Sequence, residues 1–403
     1  MRAYEHDEIL FLSGIYSESL YNELTNRDLN KNVQIAADVL QKHIINGLDA
    51  SLPVPVKLVN APYIGVFPRS CKIARFKKSS FSHYNGSSDV NVSFINVPLI
   101  RHVSIYHSSK SEIKRWVKSH PNGVVMAYAL TLRNVWNLLY AKKMSNSIIT
   151  CMIVPDLPMY MRMSAGMIYR IAKRIENFVI HRKLHRIDSF VLLTEHMNDV
   201  IKSRNYCVVE GVATDCGEAN EETDSVKIVM YSGTLDKKYG ISNLLQAFHQ
   251  IKDDTVRLYI CGTGDAQKEV EEMATQDERI CFFGLVPREK VIQLQRQASV
   301  LVNPRQNVEK FTKYSFPSKN IEFLASGVPV IAYKLDGIPD EYDSYMHYVG
   351  DNSVQALKCS IEQVLSASPQ ERRSYGEKAR HFVLENKNEI VQAKKILDLL
   401  ERI

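Results

Sequence analysis

Three glycine-bearing turns and one lysine-bearing helix start, all in the second half of the chain, are the residues whose types and spacing can do chemistry. The turns are YSGTLDKKYG (231–240), CGTGD (261–265) and FFGLVP (282–287), each following an apolar run. Glycine there lets the backbone approach a ligand closely and accept positive φ. A strand-to-helix turn also selects glycine on structural grounds alone, so each turn taken singly admits both readings. The stronger segment is FTKYSFPSKNIEFLASGVPVIA (311–332), which reads as a loop, a helix opening at Pro317 and a buried strand after Gly327. Proline suits the first helical turn, where its missing N–H is not needed. The free N–H groups around residues 316–319 then point at a ligand, and phosphate is their natural guest. Ser318 adds a hydroxyl and Lys319 a positive charge. Glu322 lies three residues on, on the same face, where a carboxylate accepts hydrogen bonds from ribose hydroxyls. The competing reading is a capped helix with a solvent-exposed Lys319–Glu322 pair, worth only about 0.2–0.5 kcal/mol.

The elements that must position these residues alternate between short apolar runs and helical patterns, which predicts a doubly wound α/β architecture with mainly parallel sheets. Expected strands in the first half are EILFLSG (8–14), VKLVNA (56–61), VSFINV (92–97), VVMAYA (124–129), SIITCMIV (147–154), SFVLLTE (189–195) and YCVVEGV (206–212). The second half alternates strands at 227–233, 256–262, 280–286, 300–304 and 329–335 with helices, and from about Pro369 the tail is helical. The segment DCGEANEETDS (215–225) is acidic and lacks large apolar residues, so it is expected to bury nothing and to link two domains. The expected division is 1–212, a linker at 213–225, and 226–386, with a last helix at about 387–403 packing back onto the first domain. Two domains also suit 403 residues.

Composition narrows the class. No apolar run approaches the roughly 18 residues needed to span a bilayer. The opening MRAYEHDEILFLSG carries acids where an export signal carries basic residues, so the expected compartment is cytoplasmic. The seven cysteines are scattered and form no CxxC pair, which disfavours a disulfide framework or structural zinc. His181 and His185 share an expected helix face but have no acid between them to serve as a base, so no metal is expected. The net charge of +6 hides an asymmetry, about +11 over residues 1–212 and about −5 over 213–403. The basic half is expected to meet something anionic. Residues 162–188 interleave seven Lys/Arg with Met163, Met167, Ile168, Ile171, Ile175 and Phe178. That pattern fits either an amphipathic helix lying on an anionic membrane at the inner face of the plasma membrane, or a helix with a core face and a solvated basic face.

Taken together, YSGTLDKKYGI, CGTGD, FGLVP and NPR followed by FTKYSFPSKNIEFLASGVPVI resemble the donor domain of retaining glycosyltransferases of family 4, GT-B fold, in particular bacterial cell-surface polysaccharide members. The matching elements run over about 110 residues in the family's order. The resemblance implies two Rossmann-like domains facing a central cleft. It implies that Gly233 with Thr234, the Gly262 and Gly264 turn, and the stretch Tyr314, Ser315, Phe316, Pro317, Ser318 and Lys319 line the donor site. Val286 then contacts the base through backbone, and Glu322 binds ribose. The chain departs from the family where an arginine usually follows the first glycine and a lysine precedes the second. Here stand Thr234 and Tyr239, with Lys238 one place earlier. The family's paired glutamates lie eight apart, and eight residues before Glu322 stands Tyr314 instead. Lys319, Lys238 and Arg305 are the substitute cations. The first half resembles the acceptor domain more loosely, through the strand ending at Gly14, through IVPDLPMYM (153–161) and through LLTEHM (192–197). Where many relatives have histidine stands Pro155, and Asp156 either faces the reacting sugar or forms an Asx turn. Gly14, Asp156 and Glu195 are the acceptor-side candidates, and Lys319, Lys238 and Asp156 the catalytic ones.

The expected activity is transfer of a sugar, with retention, from a UDP- or GDP-sugar to a hydroxyl of a glycan or polyprenyl-diphosphate-linked acceptor. The nucleotide sugar is a co-substrate, and no cofactor is expected. Two other classes compete. A non-catalytic GT-B partner subunit is suggested by Thr234, Tyr239 and Tyr314. A nicotinamide-dependent dehydrogenase is suggested only by the doubly wound pattern, and no strand opens into GxGxxG with an acid about 20 residues on. Nucleic-acid binding is not expected, because the basic residues are not interleaved with stacking aromatics.

Overall fold

Strands such as VVMAY (124–128) and ITCMIV (149–154) are buried along their whole length. Such continuous apolar runs belong in a parallel sheet covered by helices on both faces. The computed structural model describes residues 8–26, 33–98, 100–157, 167–220, 226–308 and 311–403. It divides into two units, Met1–Val212 with Glu389–Ile403, and Ala213–Asn388.

The first unit begins β1 (Ile9–Ser13), α1 (Glu18–Asn26), α2 (Ile35–Ser51) and β2 (Lys57–Asn60). Four short strands follow: β3 (Arg75–Phe76), β4 (Ser79–Phe81), β5 (Asp89–Asn91) and β6 (Phe94–Ile95). Then come α3 (Ile100–Ser119), β7 (Val124–Tyr128), α4 (Leu132–Met144), β8 (Ile149–Val154), α5 (Met167–Leu184), β9 (Ser189–Leu192), α6 (Asn198–Ile201) and β10 (Tyr206–Val208). The eight-stranded sheet runs β10-β9-β8-β7-β1-β2-β5-β4. It is parallel except where β4 meets β5.

The second unit alternates β11 (Lys227–Ser232), α7 (Ile241–His249), β12 (Val256–Cys261), α8 (Gln267–Gln276), β13 (Ile280–Gly284), α9 (Arg288–Arg296), β14 (Val300–Asn303), α10 (Ser318–Ala325) and β15 (Val330–Ala332). It closes with β16 (His347–Tyr348), α11 (Val354–Ser366) and α12 (Pro369–Asn386). Its six parallel strands run β13-β12-β11-β14-β15-β16, the doubly wound order in which strand sequence reverses between β11 and β14. The last helix, α13 (Glu389–Leu400), belongs to the first unit and packs on α2. Ala393, Ile396, Leu397 and Leu400 join that unit's core. Gly47 in α2 is required by this contact, because a Cβ there would fall 2.1 Å from the Glu389 carbonyl oxygen.

Several expectations are corrected. VSFINV (92–97) is not a strand of the main sheet. Asp89–Asn91 takes that place beside β2, because the Asp89 carboxylate accepts the Leu58 N–H at 2.9 Å. Phe94 instead pairs in a separate antiparallel ribbon, stacked on Phe76 at 4.7 Å. The sequence pattern marks no element at 336–368, yet α11 forms there, capped by Ser353 and buried through Leu357, Ile361, Val364 and Leu365. Just before the 215–225 segment, Ala213 is buried and its N–H donates to the Lys387 carbonyl at 2.7 Å. Asp215 pairs with Arg380 at 2.6 Å, so this stretch is pinned along the second unit, while 221–225 lie outside the described residues. Helix α5 ends at Leu184, so His185 is beyond it and the expected His181–His185 helix face does not form. Residues 162–166 of the basic segment also lie outside the described residues.

One polar cluster holds the β4–β5 excursion to the first unit. His83 bonds Asp89 through Nδ1 at 2.6 Å and Asp49 of α2 through Nε2 at 3.0 Å. Burial works against a charge on the imidazole, but the hydrogen bonds to Asp49 and Asp89 outweigh it and raise His83 from 6.5 to about 9. A group whose folded-state pKa is raised stabilises fully below its unfolded value, and that contribution disappears as pH climbs through the folded value. Unfolding of the wild-type chain should therefore lose up to roughly 3 kcal/mol between pH 6.5 and about 9. His83→Gln should be less stable at neutral pH and should lack that alkaline limb in denaturant titrations.

Candidate active site

In an open parallel sheet, ligands bind beyond the strand carboxyl ends, where the strand order reverses. For the second unit that point lies between Ser232, ending β11, and Asn303, ending β14. The three glycine turns meet beside it. The Gly233 N–H donates to the Cys261 carbonyl at 3.0 Å, and the Gly262 N–H to that of Gly284 at 2.8 Å. Gly262 has φ 136°, and a Cβ on it would fall 1.8 Å from the Gly233 carbonyl oxygen. Only glycine fits there. The Thr234 carbonyl accepts from the buried Tyr231 hydroxyl at 2.8 Å, and the Leu235 N–H donates across to Thr263 at 2.9 Å, one residue before Gly264. Val286 follows β13, partly buried against the core.

Helix α10 starts at Ser318, with Pro317 as its cap rather than its first residue. Phe316 anchors the approach in the core, 5.3 Å from the Tyr342 ring. Ser318 and Lys319 hold the first two helical positions, where N–H groups have no intrahelical partner. Ser318 is exposed. The Lys319 ammonium lies 2.9 and 3.0 Å from the two Glu322 carboxylate oxygens. Gln295 of α9 joins this pair to the glycine turn, its Nε2 donating to Glu322 Oε1 and to Ser232 Oγ, each at 2.9 Å. Gln295 and Ser232 are both buried. Burial opposes a charge on Glu322, but Lys319 and the Gln295 hydrogen bond hold its pKa below the ordinary carboxylate value. Glu322 is thus an anion with one face committed to protein donors.

A second branch carries Arg305, which leaves β14 two residues after Asn303. Its Nη2 donates to Ser315 Oγ at 2.7 Å, and its guanidinium lies 5.2 Å from the centroid of the Tyr239 ring and 5.0 Å from that of Phe311. Lys238, 3.3 Å from Asp236, is 5.0 Å from the Tyr239 centroid. The Tyr239 ring therefore supports two cations. Tyr314 closes a short turn with Lys313 over its ring at 4.7 Å. Asn303 Nδ2 donates to Asn320 Oδ1 at 2.6 Å and fixes β14 to α10. Sequence reasoning missed Gln295 and the Asn303–Asn320 pair, since a buried amide inside a helix carries no motif.

The acceptor-side candidates lie in the first unit. Gly14 follows β1 and lies against the ring of Tyr63, its N–H donating to Gln41 Oε1 at 2.8 Å. Asp156 is exposed in the turn after β8. The Glu195 carboxylate accepts from the Tyr206 hydroxyl, which raises the pKa of that tyrosine. Among the described residues, no three His, Cys, Asp or Glu side chains gather as a metal set.

Residues 217–382 match the family model described as glycosyl transferases group 1. The colanic acid biosynthesis glycosyl transferase assigned as WcaI in Escherichia coli K12 is 27% identical over 151 residues, 35% of this chain and 36% of the relative. The chain spans 59% and 36% of the lengths of two curated relatives that it matches. Among solved structures, sucrose-phosphate synthase from Thermosynechococcus elongatus superposes with TM-score 0.67 at 15% identity, covering 98% of each chain. Anabaena HepE in complex with UDP superposes with TM-score 0.57 at 13% identity, covering 98% of this chain and all of that one. The fold is that of the GT-B glycosyltransferases.

The Gln295 bridge gives a direct test. Gln295→Glu sets a second carboxylate beside Glu322, and two such groups cannot both ionise at this separation. The variant should melt several degrees lower than wild type at about pH 8, with the gap narrowing at about pH 5 as one carboxyl takes up a proton. An equal gap at both pH values would show that the two side chains are not in contact.

Proposed function

We propose that this chain is a retaining glycosyltransferase that moves a sugar from a UDP- or GDP-sugar to a hydroxyl of a glycan or lipid-linked acceptor, in capsule, exopolysaccharide or O-antigen synthesis. The observation that carries this reading is the Ser232–Gln295–Glu322–Lys319 connection. It brings the glycine turn, the Glu322 carboxylate and the helix start at Ser318 to one strand-order reversal. In the transfer, the bond from the anomeric carbon to the donor's phosphate oxygen breaks and its electron pair stays on the diphosphate. The acceptor oxygen bonds to that carbon on the same face, and its proton passes to the leaving phosphate oxygen. No protein base is needed. The negative charge growing on the diphosphate is met by N–H groups and cations already in place, Lys319 and Arg305 foremost, with Lys238 at the rim. A nucleotide arriving here competes with Glu322 for Lys319, while the Gln295 bond holds the carboxylate toward ribose.

Helix α5 supports association with an anionic membrane surface. Its Ile171, Ile175 and Phe178 recur one turn apart and are 50%, 60% and 61% exposed, with Arg174, Arg182 and Lys183 on the same helix. Among the described residues no helix is long and apolar enough to cross a membrane, so the contact proposed is interfacial and at the cytoplasmic face.

A panel of nucleotides in thermal unfolding tests the donor site. UDP or GDP at about 100 times its Kd should stabilise by about 2.7 kcal/mol. Lys319→Ala should abolish that shift and the transfer activity, and an unchanged shift would refute the phosphate site. Glu322→Gln should weaken ribonucleotides more than their 2′-deoxy analogues; equal weakening would remove the ribose role. For the membrane contact, Ile175→Glu with Phe178→Glu should release the protein from vesicles containing phosphatidylglycerol in a flotation assay. Retained flotation would place the contact elsewhere.

A further inference from the structure

The first unit has its own strand-order reversal, between β1 and β7, and it holds a feature that the donor chemistry does not use. Arg101 and Arg133 are the second residues of α3 and α4, and only 9% and 6% of their surfaces are exposed. Arg101 spends one N–H on the Ile64 carbonyl at 2.8 Å, and Arg133 lies 5.7 Å from the centroid of the Tyr63 ring. The Nε of each is out of water with no hydrogen-bond partner. Neither forms an ion pair among the described residues, and the charge of each reaches the same two groups, Tyr63 and His102. Glu176, whose charge also reaches His102, is already paired with Lys173 at 2.6 Å.

This placement is unfavourable in three respects. A buried cation needs a partner. Two cations around one spot repel each other. A helix N-terminus carries a partial positive charge, so its first turn favours acids over arginines. The Tyr63 contact offsets part of this for Arg133, through its ring face and a side-chain hydrogen bond. A single dianion would relieve all three, because it would meet both guanidinium forks beside two helix N-termini. The walls are built to keep this shape. Ala129, just after β7, is held at φ 74°, and Asn134 Nδ2 donates to the Tyr128 and Ala129 carbonyls at 2.7 and 2.9 Å. The Tyr63 hydroxyl donates to the Tyr128 carbonyl at 2.7 Å, closing the ring over Gly14.

We infer that the crevice beyond β1 and β7 is a phosphate-binding site, in which Arg101 and Arg133 grip a phosphate or diphosphate group carried by the acceptor. The assignment of that group to the acceptor rests on the function proposed above; the anion site itself does not.

The test is calorimetric titration of inorganic pyrophosphate into the full chain carrying Lys319→Ala, which removes the main cation of the second unit. Binding should persist there, and adding Arg133→Gln or Arg101→Gln should weaken it at least about tenfold. Arg133→Lys, which keeps the charge but loses the fork, guards against misfolding and should weaken binding by an intermediate factor. In the wild-type chain, pyrophosphate should protect Arg101 and Arg133 from phenylglyoxal, as read by peptide mass spectrometry. Glucose 6-phosphate and phosphatidylcholine vesicles carrying a polyprenyl diphosphate distinguish a soluble from a lipid source of the phosphate, and arginine-dependent binding of either supports the site. Pyrophosphate binding that ignores both arginines, or that vanishes with Lys319→Ala alone, overturns it. If UDP stabilises no variant while pyrophosphate still depends on the arginines, the donor reading fails and this site stands.

Discussion

A parallel sheet with helical crossovers brings every strand's carboxyl end and every helix's amino end to the same edge. This constraint organises both units. Where strand order reverses, neighbouring crossovers leave on opposite faces, and the edge opens into a crevice lined by backbone N–H groups. In the second unit the reversal falls between β11 and β14. The turns at Gly233 and Gly262 interlock there so closely that a Cβ on the second would overlap the backbone of the first.

Side-chain energetics then separate two readings of the Lys319–Glu322 pair. A fully solvated pair on a helix is worth a few tenths of a kcal/mol and needs no third partner. Here the Glu322 side chain is 23% exposed against 38% for Lys319, and its carboxylate also accepts from buried Gln295. A hydrogen bond to a charged group contributes roughly 1.5–3 kcal/mol, and losing it would strand a buried amide. The pair is therefore part of a polar network reaching β11, with the carboxylate fixed and the ammonium nearer solvent. That asymmetry suits a site in which the cation moves to an incoming phosphate and the anion stays.

The two units share an architecture and differ in charge, about +11 over residues 1–212 and about −5 over 213–403. In the second, cations at the crevice are supported by neighbours: Arg305 by Tyr239, Phe311 and Ser315, Lys238 by Asp236. In the first, Arg101 and Arg133 sit at the corresponding reversal without an ion-pair partner among the described residues, and exposed apolar side chains with basic companions line α5. The excess positive charge is thus not spread evenly over a solvated surface.

The sequence by itself determined most of the long strands, their alternation with helices and the helix start beside Pro317, because apolar periodicity and turn chemistry are local properties. Local signals also misled: VSFINV is as apolar as a sheet strand, but the Asp89 hydrogen bonds place the preceding three residues beside β2 instead. Only the tertiary structure decided which polar groups meet. Gln295 lies 63 residues from Ser232 and 27 from Glu322 along the chain, and Arg101 and Arg133 stand on different helices. Strand order brings such groups together, and it leaves no trace in the spacing of the residues it joins.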